Sequence, residues 1–386
     1  TAKDITSYWY LINEAEADVL SFTETAGTFN VKRGYDVVVK DKDGIQVATG
    51  DSSNPLILPA GKYTFTATEK VYNYYVMSGG TGNGKTESTP AATVADVIAT
   101  IAADGLVAGD TATIYILQRT DWNEYNGEAI GKINNVDTPQ PHNLTTWSAD
   151  GSAMTDHAFN IVVKSPEGQN NYLAYGGNLG ENYKLTVGGN TVFDNVTLVA
   201  MRNELDQPLA LKGYNVHFTE NFVFGYVDCT KYGTPAVWDG TVKTTAPSFR
   251  TEMSDNIGNY TVPNAMTVTL DAKYDSSTGT KDANRKFFIG TSLSGGYAVQ
   301  FNEDVNIVIN NKDSYVPIQW GNTNTNQYSK VTFKKNLNLN IKAANTIVNT
   351  AGGSTFKVNG GLQIIADSDT TMTDLETTLT AKDITS

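Results

Sequence analysis

The sequence predicts an all-β protein made of a small antiparallel β-sandwich followed by a helix-capped parallel β-helix. Three observations lead to this prediction. Gly, Thr, Asn and Tyr are abundant while charged residues make up 18% of the chain, a composition that suits half-buried strands joined by tight turns. Short stretches that alternate apolar and polar residues recur along the chain. One stretch, 93–104, has helical periodicity instead.

Residues 1–77 are predicted to form the sandwich module. Alternating stretches separated by polar or Gly-containing turns lie at 31–39, 45–48, 56–58 and 63–68. Strand pairs at this spacing are typical of a sandwich. The turn between the first two contains Asp41, Asp43 and Gly44, which we interpret as a hairpin turn, because the later ligands of a calcium loop are absent.

Residues 78–92 are rich in Gly, Ser and Thr and are predicted to be a linker. The helix follows, with Thr93 as its N-cap, Asp96 three residues later and Gly105 as its stop. We expect the helix to cover the exposed sheet edge at the start of the β-helix. Its apolar positions repeat at helical spacing and are Val94, Val97, Ile98 and Ile101.

Residues 93–375 are predicted to hold this helix and the β-helix. A pattern of strand, polar corner and strand occurs at 192–198, 216–224, 299–307, 331–339 and 356–364. The first two segments start 24 residues apart, and those at 299 and 331 start 32 apart, which fits coils of that length. The longer interval from 216 to 299 fits about three turns of the same superhelix. Each corner is expected to place Asn, Asp or Gly in the left-handed conformation that these residues adopt at low cost.

This pattern resembles the parallel β-helical stretches of large bacterial surface adhesins and their tandem-repeat relatives. The resemblance covers 105–375 and rests on pattern and spacing. In addition, the stretch Leu-Pro-Ala-Gly-Lys-Tyr-Thr-Phe at 58–65 resembles the closing strands of immunoglobulin-like modules in bacterial surface proteins. The resemblance implies an extracellular or cell-surface protein with a structural or adhesive role.

The heptad Thr-Ala-Lys-Asp-Ile-Thr-Ser at 1–7 recurs at 380–386. We interpret the chain as one unit of a tandem array plus the start of the next, with 376–386 as a connector. Two other interpretations remain open at this point: a terminal strand that replaces the strand of a neighbouring chain, and an artificial duplication. The residues predicted to form the junction between units are Ile5, Tyr8, Trp9, Tyr10, Leu375, Leu379 and Ile384.

Composition limits the functional classes. The net charge of −13 argues against binding to a nucleic acid backbone, which needs clustered Lys and Arg. The single cysteine, Cys229, excludes an intrachain disulfide and is interpreted as a small buried apolar residue. No run of 18 apolar residues occurs, so we expect no membrane insertion by this segment, and any secretion signal is expected to lie outside it.

Residues 79–86, Gly-Gly-Thr-Gly-Asn-Gly-Lys-Thr, satisfy the formula of a phosphate-binding P-loop. Such a site needs a helix that begins at Lys85 and Thr86, because the helix N-terminus and the loop amides together bind the phosphates. Here Pro90 follows, and the helix is expected to start near Thr93. The linker interpretation is therefore preferred over a nucleotide site.

Other candidate chemistry is sparse. The three histidines share no ligand spacing and are interpreted as ordinary surface residues: His142, His157 and His217. Parallel β-helices also host polysaccharide lyases and hydrolases, so Asp194, Arg202 and Glu220 would form a catalytic groove if neighbouring coils stacked them together. Aromatic residues are dense in parts of the chain. If they are exposed, they would stack on sugars or anchor a partner, although packing at domain junctions is the simpler interpretation.

The sequence therefore favours a non-enzymatic repeat unit of an extracellular bacterial fibre or giant surface protein, joined head to tail with copies of itself. No cofactor or metal is implied. The expected partner is the next copy, linked covalently or by strand addition, with a host molecule or carbohydrate as a further ligand. The alternatives are a carbohydrate-active β-helix enzyme and a viral tail-spike segment.

Overall fold

The protein is all-β, with one α-helix among the described residues. The computed structural model describes residues 18–22, 27–31, 33–117, 129–133, 136–139, 145–148, 156–175, 185–200, 209–226, 243–244, 249–250, 260–272, 287–289, 297–310, 318–320, 329–341, 346–349, 355–358, 362–366, 371–373 and 384–385. The chain divides into two compact units, Thr1–Tyr72 and Asn73–Ser386.

The first unit contains two antiparallel sheets. Its strands are β1 (Asp18–Phe22), β2 (Gly27–Phe29), β3 (Tyr35–Asp41), β4 (Gln46–Gly50), β5 (Leu56–Leu58) and β6 (Gly61–Glu69). The four-stranded sheet has the order β1-β6-β3-β4, and β2 pairs with β5. The core draws on both sheets, since Phe29 of β2 lies edge-on to Phe65 of β6 with ring centroids 5.8 Å apart.

The β3–β4 hairpin turn is organised by one carboxylate. Asp41 Oδ1 accepts hydrogen bonds from the backbone amides of Asp43 and Ile45, each at 2.9 Å. Gly44 takes a positive φ of 80°, which a residue with a side chain adopts at a cost. The turn is thus a hairpin turn, as predicted, with the Asp41 carboxylate already engaged by the backbone.

The second unit contains the helix α1 (Val94–Ala103) and most of the strands. Its strands, in chain order, are β7 (Tyr72–Val76), β8 (Thr111–Ile116), β9 (Ala129–Ile133), β10 (Val136–Pro139), β11 (Thr145–Thr146), β12 (Asn160–Lys164), β13 (Asn171–Tyr175), β14 (Thr191–Asp194), β15 (Val196–Ala200), β16 (Leu209–Ala210), β17 (Val216–Phe218), β18 (Val223–Tyr226), β19 (Lys243–Thr244), β20 (Phe249–Arg250), β21 (Tyr260–Val262), β22 (Met266–Leu270), β23 (Phe287–Ile289), β24 (Tyr297–Phe301), β25 (Val305–Ile309), β26 (Ile318–Trp320), β27 (Ser329–Phe333), β28 (Leu337–Ile341), β29 (Thr346–Asn349), β30 (Thr355–Val358), β31 (Leu362–Ala366), β32 (Thr371–Thr373) and β33 (Ile384–Thr385).

These strands form one long sheet and several shorter ones. The long sheet has ten strands in the order β33-β31-β28-β25-β22-β17-β14-β12-β8-β7, and its pairs from β8 to β33 are parallel. The others are a six-stranded sheet (β16-β20-β23-β26-β29-β32), a five-stranded sheet (β11-β13-β15-β18-β19), a four-stranded sheet (β21-β24-β27-β30) and the pair β9–β10. We call the passage from one strand of the ten-stranded sheet to the next a circuit.

Register places equivalent residues of successive circuits in columns. Met266 pairs with Val305, and Val305 pairs with Leu337; all three side chains are fully buried. Aromatic residues stack in the same way, because Phe301 pairs with Phe333 and the two rings lie parallel, 4.6 Å apart. The alternation seen in the sequence therefore gives strands such as β22 and β25 one buried face and one outer face.

The repeated sequence pattern occurs at two different corners. Segments 192–198 and 216–224 run from the ten-stranded sheet into the five-stranded sheet, whereas 299–307 and 331–339 run from the four-stranded sheet into the ten-stranded sheet. Val216 pairs with Val268, which pairs with Ile307. Two circuits, not the expected three turns, thus span this interval, because circuits differ in length.

The corner prediction is confirmed at Asn195, which has a φ of +46° between β14 and β15. Among the described residues other than glycine, Lys212 alone shares a positive φ, at +50°. Lys212 precedes Gly213, where an added Cβ would lie 2.5 Å from Val262 Cγ1 of the next circuit. Close packing of the next circuit therefore leaves no room for a side chain at residue 213.

The predicted helix is confirmed. The Thr93 hydroxyl accepts a hydrogen bond from the Asp96 amide at 3.1 Å, and Gly105 follows the last turn with a φ of +81°. The buried positions are those predicted from the periodicity: Val94, Val97, Ile98 and Ile101. The backbone of Ala95 donates to Trp147 O at 2.8 Å, which joins the helix to the sheet region.

The segment 78–92 differs from the linker that the sequence predicted. It lies within the second unit and is held to β7 by backbone hydrogen bonds from Tyr75 to Gly84 O (2.7 Å) and from Met77 to Ala91 O (2.9 Å). An added Cβ at Gly82 would lie 2.2 Å from Thr89 O. The glycines here permit close backbone packing, so the high Gly content reflects an ordered loop.

Truncation of one stacked ring should cost far more than truncation of its outward neighbour. We expect Phe333→Ala to lower the free energy of unfolding by about 3–5 kcal/mol, because it removes a fully buried ring from the Phe301 stack. Thr332→Ala, on the outer face of the same strand, should cost less than about 1 kcal/mol. Urea denaturation measures both, and equal costs would contradict a core at this column.

Candidate functional site

The ten-stranded sheet ends at β33, which belongs to the second copy of the heptad. Ile384 pairs in parallel with Leu362, and Thr385 pairs with Gln363. Leu362 in turn pairs with Leu337, so Ile384 takes the next register position in the column of Met266, Val305 and Leu337. The heptad sequence is therefore compatible with addition to this sheet as its terminal strand.

The other predicted junction residues lie outside the described part of the chain: Ile5, Tyr8, Trp9, Tyr10, Leu375 and Leu379. Their prediction stays untested. Ile5 and Thr6 stand in the same heptad sequence as Ile384 and Thr385.

The opposite end of the ten-stranded sheet, at β7, is packed by α1 and the 78–92 loop. Tyr74 of β7 donates its hydroxyl to Asp104 at 2.9 Å, immediately after the helix. Val97 of the helix lies so close to Gly84 that an added Cβ there would meet its Cγ2 at 2.6 Å. The sheet thus has a helix at one end and a heptad strand at the other.

Polar side chains form hydrogen-bonded columns on the outer face of the ten-stranded sheet. Asn338 Nδ2 donates to Asn306 Oδ1 at 2.8 Å, and Asn306 Nδ2 donates to Thr267 Oγ1 at 3.3 Å. A second column joins Asn310 to Asp271 at 2.8 Å. Each of these hydrogen bonds joins neighbouring circuits, so the columns reinforce the register set by the backbone.

A polar cleft of about 640 Å³ opens where β8, β12 and β14 end. Lys164 Nζ lies 3.2 Å from Asp194 Oδ2, and Asp194 Oδ1 accepts a hydrogen bond from Thr219 at 2.8 Å. Tyr115 lines the same cleft, with its ring stacked on Tyr75 at 5.3 Å. The sequence reasoning missed this site, although Lys164 and Asp194 each end a strand just before a polar corner.

The catalytic alternative of Asp194, Arg202 and Glu220 stays untested, because only Asp194 and Glu220 lie in the described part of the chain. Asp194 pairs with Lys164, which the sequence analysis had not considered. Glu220 is exposed in the turn between β17 and β18, and it does not line the cleft. Arg202 lies outside the described residues.

The lysine of the P-loop-like segment forms an ion pair within the protein. Lys85 Nζ lies 2.5 Å from Asp104 Oδ1, and no helix begins at Lys85 or Thr86, since α1 begins at Val94. Burial alone would raise the pKa of Asp104, but hydrogen bonds from Lys85 and Tyr74 outweigh it and hold that pKa below 3.8. The lysine that would bind a phosphate is engaged in this ion pair.

Two of the three histidines are described, and they differ. His217 is half-exposed on the outer face, with Nε2 2.6 Å from Asp271 Oδ2. His157 is partly buried and stacks on Phe159. Its Nδ1 lies 2.7 Å from Phe159 O, and because a carbonyl only accepts, Nδ1 carries the proton. His142 and Cys229 lie outside the described residues.

His157 departs from the predicted surface role. Burial lowers its pKa below 6.5, although the Phe159 carbonyl and the nearby Asp156 carboxylate act in the opposite direction. Its Nε2 is buried without a hydrogen-bond partner in the described part of the chain, which disfavours the protonated ring. The backbone of Gly189 lies against the ring, where an added Cβ would meet Cε1 at 2.3 Å.

The aromatic residues in the described part of the chain have mixed roles. Trp147 is fully buried and lies 6.1 Å from Phe193, so it fills the core. Tyr75 and Tyr115 are half-buried on the outer face.

In the ranges that the structure describes, no helix has the length and apolarity needed to cross a membrane. Those ranges also contain no group of three or more His, Cys, Asp and Glu residues placed to hold a metal ion.

Comparison of the chain with family models, with curated proteins and with solved structures gave no significant match. Function must therefore be argued from the geometry of the sheet ends and the cleft.

The stability of the protein should fall in mild acid because of His157. Its pKa is 6.5 in the unfolded chain and lower in the folded chain, so the unfolded chain binds more protons as pH falls from about 6.5 through the folded value. Above about pH 6.5 the neutral His157 makes its full contribution to the stability of the folded chain. We expect His157→Gln to flatten the dependence of unfolding free energy on pH below about pH 6.5, as measured by urea denaturation. An unchanged slope in the variant would assign the acid sensitivity to other groups.

Proposed function

We propose that this chain is a structural, adhesive repeat unit of an extracellular bacterial fibre or giant cell-surface protein, joined head to tail with copies of itself. Its first unit is an immunoglobulin-like sandwich, and its second unit is a parallel β-helix covered by α1 at one end. The observation that carries the proposal is the pairing of Ile384 and Thr385 with Leu362 and Gln363 at the end of the ten-stranded sheet.

Terminal sheet edges attract further strands, because their backbone amides and carbonyls have no partner on one side. The end of this sheet accepts the heptad sequence, and the chain carries that sequence twice. A neighbouring copy can therefore supply its Ile5 and Thr6 at the position that β33 takes, by strand addition. A covalent array places the same heptad between consecutive units.

The net charge of the chain and the buried core of the ten-stranded sheet both support a structural role. The net charge of −13 keeps separate chains soluble and limits unspecific contacts, so association must come through matched surfaces such as the sheet ends. The fully buried columns of the ten-stranded sheet run through successive circuits, which gives a stiff element whose length grows with each circuit.

Two proline variants at equivalent positions test the strand-addition form of the proposal, because they should change self-association in opposite directions. Proline donates no hydrogen bond and disrupts strand pairing. Ile5→Pro should abolish concentration-dependent self-association, because it disables the incoming strand. Ile384→Pro should strengthen association, because it removes the competing strand from the same edge. Sedimentation velocity of the full chain measures both, and negative-stain microscopy should show filaments of the unaltered chain.

Ile5→Val and Ile384→Val are the matched controls, since valine keeps the strand preference. A chain that stays monomeric in every variant and shows no filaments overturns the strand-addition form of the proposal, and a trimer supports the tail-spike alternative. Denaturing electrophoresis of native material separates the two forms of joining: a single band near the 41.7 kDa of this chain supports strand exchange over a covalent array.

A further inference from the structure

We propose that the polar cleft beside Lys164 and Asp194 binds a linear, neutral oligosaccharide. This inference concerns a ligand site and does not depend on head-to-tail assembly, so either proposal can fail alone. The cleft volume of about 640 Å³ falls within the range of about 300–1,000 Å³ that is usual for ligand pockets.

The lining disfavours two ligand classes. None of the residues that line the cleft has an aliphatic apolar side chain, which disfavours a lipid tail or an apolar peptide side chain as the ligand. Lys164 is matched by Asp194 at 3.2 Å, and Glu167 adds a second carboxylate to the lining. Because the site has no excess positive charge and the whole chain carries −13, sulfated, phosphorylated or uronic acid ligands are repelled.

What remains is a surface of amides beside a tyrosine ring. Sugar hydroxyls both donate and accept hydrogen bonds, and a side-chain amide offers two donors and two acceptor positions. Tyr115 presents an aromatic side chain held by its stack on Tyr75, and such rings pack against the apolar faces of sugars. The combination of amides, a carboxylate and a fixed tyrosine suits a neutral saccharide.

The amides come from three successive circuits. Asn170 lies between β12 and β13, Asn195 between β14 and β15, and Asn221 between β17 and β18. Neighbouring parallel strands are about 4.8 Å apart, so these corners form a row along the stacking direction. A row of polar groups from successive circuits fits a chain of sugars better than a single sugar.

Hydrogen bonds within the wall hold this row in place. Asn195 Nδ2 donates to Gln169 O at 2.6 Å, and Asn170 Nδ2 donates to Asn221 O at 3.1 Å. Asn170 Oδ1 also accepts from Thr197 Oγ1 at 2.6 Å. Each of these amides keeps hydrogen-bonding positions beyond those used in the wall, and a preformed wall reduces the entropy lost when a ligand binds.

The test uses the full chain on an array of neutral oligosaccharides of hexoses and N-acetylhexosamines, with sialylated, sulfated and uronic acid glycans as comparators. Titration calorimetry then measures the retained glycans. We expect Tyr115→Ala and Asn221→Ala each to weaken binding about tenfold or more. Asn221→Ala leaves the backbone oxygen that holds Asn170, so the wall is preserved.

Two variants outside the cleft lining serve as controls: Tyr214→Ala for the tyrosine and Glu220→Ala for the neighbouring turn position. Both should bind as the unaltered chain does, and thermal melting checks that all four variants are folded. The proposal is overturned by absence of binding to any neutral glycan up to about 1 mM, by preference for the acidic glycans, or by equal affinity in all variants. Cleavage of a bound neutral glycan would support the cleft as its binding site and would overturn the non-enzymatic role proposed above.

Discussion

The in-register pairing of each strand with its counterpart one circuit later is the constraint on which the second unit depends. Because the side-chain period of a strand is two residues, a slip of one residue would turn every buried side chain of that strand outward. The columns of Met266, Val305 and Leu337 inside and of Asn306 and Asn338 outside both require the same register. Apolar burial and amide pairing therefore select a single alignment of the circuits.

Local features were predictable from the sequence because their causes are local. The helix follows from the Thr93 cap, its four buried apolar positions and Gly105. The β3–β4 hairpin follows from Asp41 and Gly44, which bind and shape the turn within five residues. The all-β fold class was predictable from the same short-range patterns.

Contacts between circuits were not predictable, because circuits have no fixed length. Ser78 donates its amide to the Thr145 hydroxyl across 67 positions, and Asn171 donates to Ile116 O across 55. The cleft depends on such contacts, since Lys164 and Asp194 meet only after two strands align. The 78–92 loop was misinterpreted for a related reason: glycine marks close packing as readily as mobility, and the packing partner lies elsewhere in sequence.

The Asn306–Asn338 column has a consequence for how such a chain changes over evolutionary time. Asn306 meets the Asn338 amide on one side and the Thr267 hydroxyl on the other, so removal of one whole circuit would bring two polar groups of the same column together. Met266 and Leu337, both apolar and both in the same column, would then be direct neighbours. Gene-level loss or duplication of a circuit is therefore a conservative event for this architecture, whereas an insertion of a single residue within a strand is disruptive. The length of this sheet can therefore change during evolution in steps of one circuit.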